Sequence, residues 1–264
     1  MRYAQSAQIY GISSGLKNIT PMNKIDLSII LPCYNESGNI PLILKRFRDL
    51  LANRRDVEVL LVNNGSTDNS QEIFNSELAK TENSFAKVVY VEVNKGYGFG
   101  IMAGVREANG QIIAWTHADM QTDPSDVLEI FSKYNSQILS GKYYAKGRRV
   151  DRNPADAFFT WGMSIISSVY LGAKLNDINA QPKMFNRGFL EYMQNPPDDF
   201  SLDLYLMYQA HKHKIELIEM PVSFAKRQHG IAKGGGTLKG KMKLIKRTFK
   251  YIHQISKEIK LGKR

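Results

Sequence analysis

Four times in the first half of the chain, a short apolar run gives way to a polar loop and then to a helical pattern. The runs are Asp26-Leu-Ser-Ile-Ile-Leu-Pro32, Val57-Glu-Val-Leu-Leu-Val62, Lys87-Val-Val-Tyr-Val-Glu92 and Gln111-Ile-Ile-Ala-Trp-Thr116. Each is too short for a buried helix and reads as a buried strand. Helices are expected from about Asn39 to Ala52, up to about Ala79, through Glu107, and again after Asp123-Pro124, where Asp123 caps and Pro124 takes the first helical position. Strands alternating with helices imply a parallel sheet with helices on both faces. Such a sheet gathers the loops after its strands on one edge, where ligands bind. Here those loops are Cys33-Tyr-Asn-Glu-Ser-Gly-Asn39, Asn63-Asn-Gly-Ser-Thr-Asp68, Asn94-Lys-Gly-Tyr-Gly-Phe-Gly100 and the stretch from His117. All are rich in Asn, Asp, Gly or basic residues.

The fourth loop, His117-Ala-Asp-Met-Gln121, carries the chemistry. If its backbone stays extended, His117, Asp119 and Gln121 project to one side. One carboxylate, one imidazole and one amide oxygen can share a divalent cation that also holds two phosphates. Mg²⁺ or Mn²⁺ suits such an oxygen-rich, partly open site. The glycines at 96, 98 and 100 do not make G-x-G-x-x-G, because Ile101 stands at the third position. Dinucleotide binding is therefore a weak reading. The loop is either a turn before a helix or a close approach to phosphate or sugar.

Further on, Gly141 to Arg152 is a basic segment. A long aromatic-rich helix is expected from Ala155 to Leu171, and a loop from Asn179 entering a short strand at Phe185. Another helix starts in Asp198-Asp-Phe-Ser-Leu-Asp203, with Leu202, Tyr205 and Leu206 inward, and Lys214 to Met220 alternates as a strand does. His211 and His213 lie two apart on a helical stretch, so they read as surface residues and not as a metal pair. Phe224 to Gly236 mixes glycines with Lys226, Arg227 and Lys233, which fits a basic lid over an anion or a solvated linker. From Leu238 on, apolar residues recur at helical spacing among many lysines. That helix can lie on an anionic membrane or pack on its own domain. Three regions follow: an arm over 1–23, an ordered domain over 24–236 and a basic amphipathic helix over 237–264.

The formal charge is +11, which points to an anionic partner. One cysteine, Cys33, excludes an internal disulfide and a thiolate metal cluster and fits a reducing compartment. No secretory signal and no apolar run of membrane-spanning length is read in the chain.

The ordered set Ile29-Ile-Leu-Pro-Cys-Tyr-Asn-Glu36, Val62-Asn-Asn-Gly-Ser-Thr-Asp68, Asn94-Lys-Gly-Tyr-Gly and His117-Ala-Asp-Met-Gln resembles family 2 glycosyltransferases of the GT-A fold. The likeness covers about 24–236 and is strongest to the dolichol- and polyprenyl-phosphate sugar synthases. Their R-x-x-G-x-S-K lid resembles Arg227-Gln-His-Gly-Ile-Ala-Lys233. The resemblance implies a Rossmann-like, mostly parallel α/β sheet and a metal-dependent inverting transfer from a nucleotide diphosphate sugar. The implied acceptor is a polyprenyl phosphate or a membrane-associated glycan, and the implied place is the cytoplasmic face of the membrane. It also implies roles. Pro32, Tyr34, Glu36, Val62 and Asn64 would hold the nucleotide. Asp119 and Gln121, with His117 and Ala118 beside them, would hold metal and diphosphate. Arg149 would contact a phosphate, Arg227 and Lys233 would close over the phosphates, and Asp203 falls near the acidic position facing the acceptor.

Three positions depart from the family pattern. Asn63-Asn64 replaces Asp-Asp, His117-Ala-Asp119 replaces D-x-D, and Ala232 replaces the lid serine. Imidazole ligates Mn²⁺, so weaker or more Mn-dependent metal binding is expected. An alternative is transfer to a sugar hydroxyl in cell-surface polysaccharide or lipopolysaccharide synthesis. That reaction needs a general base, for which Asp203 is the candidate. Nucleic-acid binding would account for the charge but not for the clustered loops. A nucleotidyltransferase would carry a glycine-rich basic signature where Cys33-Tyr-Asn-Glu36 stands.

Overall fold

The computed structural model describes residues 24–150 and 154–225, together with 242, 246, 249–253 and 255. The arm over 1–23, the lid residues Arg227 and Lys233, and most of the basic C-terminal helix lie outside the described residues.

The strands are β1 (Leu27–Cys33), β2 (Val57–Asn64), β3 (Ala86–Val91), β4 (Ile112–Trp115), β5 (Tyr143–Val150), β6 (Lys183–Asn186) and β7 (Glu216–Ser223). The helices are α1 (Ile40–Leu51), α2 (Ser70–Leu78), α3 (Tyr97–Glu107), α4 (Pro124–Leu139), α5 (Pro154–Leu171) and α6 (Leu202–Lys212). The strands form one sheet in the order β3-β2-β1-β4-β6-β5-β7. β1 pairs in parallel with both β2 and β4, and β5 with β7; β6 runs antiparallel between β4 and β5. Six strands therefore share one direction.

Central strands read as near-continuous apolar runs because both faces are covered. In β1 alternate residues feed two cores. Leu27, Ile29 and Leu31 pack with α1 and α4 through Ile43, Phe47, Val127 and Ile130. Ile30 packs on the other face with Ile101 and Val105 of α3 and with α6. α4 starts as its sequence predicts: the Asp123 carboxylate accepts from the Ser125 amide at 2.7 Å, and Pro124 fills the first turn, where its missing N–H costs nothing.

One strand is added to the sequence reading and one local expectation is corrected. The basic segment from Gly141 contains a full strand, β5. Lys146 within it is completely buried, with its ammonium 2.7 Å from Glu219, so its charge is neutralised inside the sheet rather than exposed. The chain after His117 is not extended either. Met120 has φ 59°, and the Asp119 side chain accepts from the Gln121 amide at 3.1 Å, so the carboxylate itself closes a tight turn. The even spacing of 117, 119 and 121 therefore does not place those side chains in one row.

The described part of the C-terminal helix packs on its own domain. Ile252 and Ile255 are buried in the α3–α6 core, while Lys246, Lys250 and His253 are exposed. Among the described residues no helix is long and apolar enough to cross a membrane.

Candidate active site

The C-terminal ends of β1, β2, β3 and β4 open on one edge, and their loops are stitched to each other. The Asn35 amide donates to Ser66 Oγ at 3.0 Å, and its side-chain oxygen accepts from the Thr67 amide at 2.8 Å. The Glu36 amide donates to Ser70 Oγ at 3.1 Å, and its carboxylate accepts from Asn39 at 2.5 Å. Pro32, Tyr34 and Glu36 are half-buried along the mouth of β1, and Val62 is fully buried in β2.

The two asparagines at the end of β2 differ in surroundings. Asn63 Nδ2 donates to Gln71 at 2.9 Å and its Oδ1 accepts from the Ser66 amide at 3.1 Å. Asn64 Nδ2 donates to the Gly96 carbonyl at 2.9 Å, and its buried Oδ1 has no partner among the described residues. Only the nitrogen end can face a carbonyl, so the amide orientation follows from chemistry.

The glycine-rich loop approaches its own chain. A Cβ on Gly98 would lie 2.2 Å from the Pro197 carbonyl oxygen, and one on Gly96 would lie 2.3 Å from that of Asp198. The Phe99 amide donates to that same Asp198 oxygen at 3.0 Å. Of the two readings of the loop, the glycines here serve close packing against the 197–199 turn.

Asp119 is 5 % exposed beyond β4, with Ala118 buried beside it and His117 half-buried. Its field reaches two neighbours. Burial, then Glu36 and Asp119, pushes the Cys33 thiol well above its ordinary range, so Cys33 stays neutral and offers no nucleophile. Burial, then Asp203 and Asp119, likewise raises the Tyr97 phenol. Tyr97 thus lies within the field of both carboxylates. Its ring stacks on Phe200 at 4.7 Å and is tilted against His117 at 6.3 Å between centroids. Gln121 ties the turn to the end of β7: its carbonyl accepts from the Ala225 amide at 2.8 Å, and its side-chain amide donates to Ala225 at 3.3 Å.

Asp203 is 2 % exposed and already engaged. It accepts from Trp115 Nε1 at 3.1 Å and from Gln181 Nε2 at 3.0 Å, with the Lys183 ammonium 3.5 Å away. Gln181 also donates to the Tyr97 hydroxyl at 3.1 Å, linking the network to the neighbour of Asp119. Arg149 lies at the end of β5 with its guanidinium forked onto Asp177 and 5.5 Å from the Phe224 ring. Its backbone amide donates to the same carboxylate at 3.0 Å. Burial raises the Asp177 carboxyl, but Arg149 outweighs burial and holds it below the usual carboxylate range.

Among the described residues no three His, Cys, Asp or Glu side chains come together as a metal cage. Asp119 and the adjacent His117 and Gln121 fit a cation only if diphosphate oxygens and water complete its shell, which is how Mg²⁺ commonly sits on substrate phosphates. Sequence reasoning missed Tyr97, Asp177, Gln181 and Lys183. Tyr97 stood inside a quoted motif, but the other three carried no local signal, since the sheet alone brings them to this edge.

A mostly parallel sheet, covered on both faces and with polar loops gathered at one edge, defines a doubly wound α/β protein, and the solved structures named below give it the GT-A fold. The model of the family described as glycosyl transferase family 2 matches residues 28–192, and the chain belongs to that family. The chain is similar to the undecaprenyl-phosphate 4-deoxy-4-formamido-L-arabinose transferase of Klebsiella pneumoniae (strain 342), 26% identical over 218 residues. The protein of the same name from Proteus mirabilis (strain HI4320) is 24% identical over 217 residues. The matches cover 81% and 80% of this chain and span 63% of the length of each relative. Among solved structures, the mannosyltransferase PcManGT from Pyrobaculum calidifontis, in complex with GDP-Man and Mn²⁺, superposes with a TM-score of 0.58 at 19% identity, over 77% of this chain and 58% of that one. Glucosyl-3-phosphoglycerate synthase from Mycobacterium tuberculosis, with Mn²⁺, UDP-glucose and phosphoglyceric acid, gives 0.67 at 14% identity, over 88% and 80%. At such identities these two structures speak for the shared fold.

Proposed function

We propose that the protein is a divalent-metal-dependent, inverting glycosyltransferase that moves a sugar from a nucleotide diphosphate to a polyprenyl phosphate at the cytoplasmic face of a membrane. The observation that carries this reading is Asp119. It is a buried carboxylate closing a tight turn, set where the strand-end loops of a family 2 chain converge.

Pro32, Tyr34, Glu36, Val62, Asn64 and Ala118 would line the nucleotide. Asp119, with His117 and Gln121, would hold the cation. When bound, it would neutralise charge on the departing diphosphate. The imidazole in place of a first carboxylate favours Mn²⁺ over Mg²⁺. An oxygen of the acceptor phosphate attacks the anomeric carbon opposite the leaving group. The new carbon–oxygen bond forms as the bond to the diphosphate breaks, and configuration inverts. A phosphate oxygen is already anionic, so no group on the protein need remove a proton. That fits Asp203, whose carboxylate is committed to Trp115, Gln181 and Lys183, and weighs against a hydroxyl acceptor. Arg149 stands at the same edge and would meet a phosphate only in competition with Asp177, and Arg227 and Lys233 would close over the phosphates. The relatives named for transfer to undecaprenyl phosphate support this acceptor class.

The test is transfer from a panel of nucleotide sugars to undecaprenyl phosphate with Mn²⁺ or Mg²⁺. The expected result is sugar in the lipid extract with metal and none with chelator. No transfer from any donor, together with no nucleotide binding by calorimetry, would overturn the proposal.

A further inference from the structure

Tyr97 is the first residue of α3, and the backbone on both sides of it is fixed. Gly96 and Gly98 press so closely on the 197–199 turn that neither admits a side chain. The Gly96 carbonyl accepts from Asn64 Nδ2, and the Phe99 amide donates to the Asp198 carbonyl. One face of the Tyr97 ring lies on Phe200, with 11° between the planes. A ring held this firmly gives its hydroxyl a set position. Gln181 then orients the hydroxyl. Its amide nitrogen gives one proton to Tyr97 Oη at 3.1 Å and the other to Asp203 at 3.0 Å. A carboxylate only accepts, so the nitrogen end of the amide is the one that faces Asp203. Tyr97 is therefore the acceptor toward Gln181, and its own proton points elsewhere. Among the described residues nothing accepts that proton.

The surroundings indicate what meets it. The hydroxyl lies in the field of both Asp119 and Asp203. An anionic oxygen placed there would be repelled by both, whereas a neutral hydroxyl would not. Tyr97 is half-buried, and its ring tilts against His117 beside the turn that Asp119 closes. In a nucleotide sugar, the neutral group next to the diphosphate is the sugar. A sugar hydroxyl also donates, and Gln181 Oε1 is buried without a partner among the described residues, an open acceptor on the same amide.

We propose that Tyr97 selects the donor sugar: its hydroxyl, oriented by Gln181, donates a hydrogen bond to a hydroxyl of the sugar carried on the nucleotide diphosphate. This rests on the reading of a nucleotide-sugar donor, and the experiment separates the two. Calorimetry on the full chain with Mn²⁺ compares UDP-glucose with UDP and GDP-mannose with GDP. Tyr97→Phe keeps the ring and its stack on Phe200 and removes only the O–H. For the pair that wild type binds, it should weaken the nucleotide sugar about tenfold, as for one neutral hydrogen bond, and leave the nucleotide diphosphate within about twofold. Tyr90→Phe, at an exposed tyrosine whose hydroxyl bonds Asn75, should change neither. One monodeoxy form of the sugar should bind wild type about tenfold more weakly, and bind Tyr97→Phe no more weakly than the parent sugar does. Gln181→Met leaves Tyr97 in place with its hydroxyl unheld. It should show a smaller loss of the same selectivity, and it serves where Tyr97→Phe does not fold. Equal losses on nucleotide sugar and nucleotide diphosphate, or no loss on either, would overturn the assignment. Wild type that binds no nucleotide sugar would overturn it together with the donor reading. Wild type that shows the Tyr97 effect yet transfers nothing to undecaprenyl phosphate would instead sink the acceptor reading alone.

Discussion

Lys146 and Lys183 are register partners across β5 and β6, and neither side chain has any exposed surface. Like charges opposite each other in a sheet destabilise it unless carboxylates answer them. Glu219 lies 2.7 Å from Lys146, and Asp203 lies 3.5 Å from Lys183. Lys183 also donates to the carbonyls of Ile178 and Ala180, both at 2.7 Å, which holds down the loop carrying Gln181. Lys183→Met leaves those carbonyls and Asp203 without their cation. The expected cost is about 3 kcal/mol, as for breaking a buried ion pair from one side. Urea unfolding of the two proteins checks it, and an unchanged midpoint would contradict the argument.

The pH dependence of that cost has a definite sign. Burial lowers the Lys183 ammonium to about 8 from an ordinary 10.5, against the opposing pull of Asp203. Below about 8 the lysine is protonated both folded and unfolded, and the cost of burying its charge is present in full. Between there and its ordinary value the unfolded chain binds more protons, so stability from this group rises with pH. The gap between wild type and Lys183→Met should therefore widen from about pH 7 to about pH 10 in urea titrations. A gap that narrows would mean that the Asp203 attraction dominates burial.

Arg149 and Asp177 close the chain between β5 and the loop before β6 around α5. Asp177→Asn keeps the shape and removes the charge that answers a mostly buried guanidinium. A loss of about 3 kcal/mol is expected. Because Asp177 titrates below the usual range when folded, wild type should lose this advantage as pH falls through the acid range. Parallel acid unfolding of the two proteins reads this as a converging pair of curves.

Asp119→Asn tests the metal role at constant volume. Its Oδ1 can still accept from the Gln121 amide, so the turn should persist and the melting temperature should move little. Transfer should fall by about a hundredfold or more, in line with removal of an electrostatic contact made to developing charge. A Mn²⁺ titration of activity should show weaker saturation in the variant. Full turnover with unchanged metal dependence would exclude Asp119 as a ligand.

The first half of this fold was legible because strands buried on both faces write their burial into composition, as β1, β2 and β4 do. The family motifs lie on the loops those strands end in, so the edge of the candidate site was legible too. The second half was not. β5 hides behind Lys146 and Arg149, whose partners Glu219 and Asp177 are distant in sequence. The polar layer of Trp115, Gln181, Lys183 and Asp203 exists only once antiparallel β6 is placed between β4 and β5. The turn at Met120 was misread because alternation assumes extended backbone, and Asp119 instead uses its own carboxylate to bend the chain.

Asn64 makes the sharpest test of how far the family pattern transfers, because the pattern that the chain resembles has aspartate at this position. Its Nδ2 donates to the Gly96 carbonyl at 2.9 Å, which holds the glycine loop to β2. Asn64→Asp replaces that donor with a carboxylate oxygen facing a carbonyl oxygen. The side chain lies over Gly100, in space that an added Cβ would fill at 2.7 Å from Nδ2. Restoring the family residue should therefore destabilise this chain by about 1–3 kcal/mol, the cost of a buried acceptor facing another acceptor. The loop should loosen, and nucleotide affinity should fall with it rather than rise. The wild-type Oδ1 has no partner among the described residues and can accept one hydrogen bond from a ligand N–H or O–H. A base with a ring N–H, as uracil and guanine have, should thus bind better than cytosine, whose ring nitrogen accepts and whose only N–H donors are on the exocyclic amine. Urea midpoints and calorimetry with uridine, guanosine and cytidine diphosphates check both halves. An aspartate variant that is as stable as wild type and binds nucleotide more tightly would show that the Asn64–Gly96 bond is incidental.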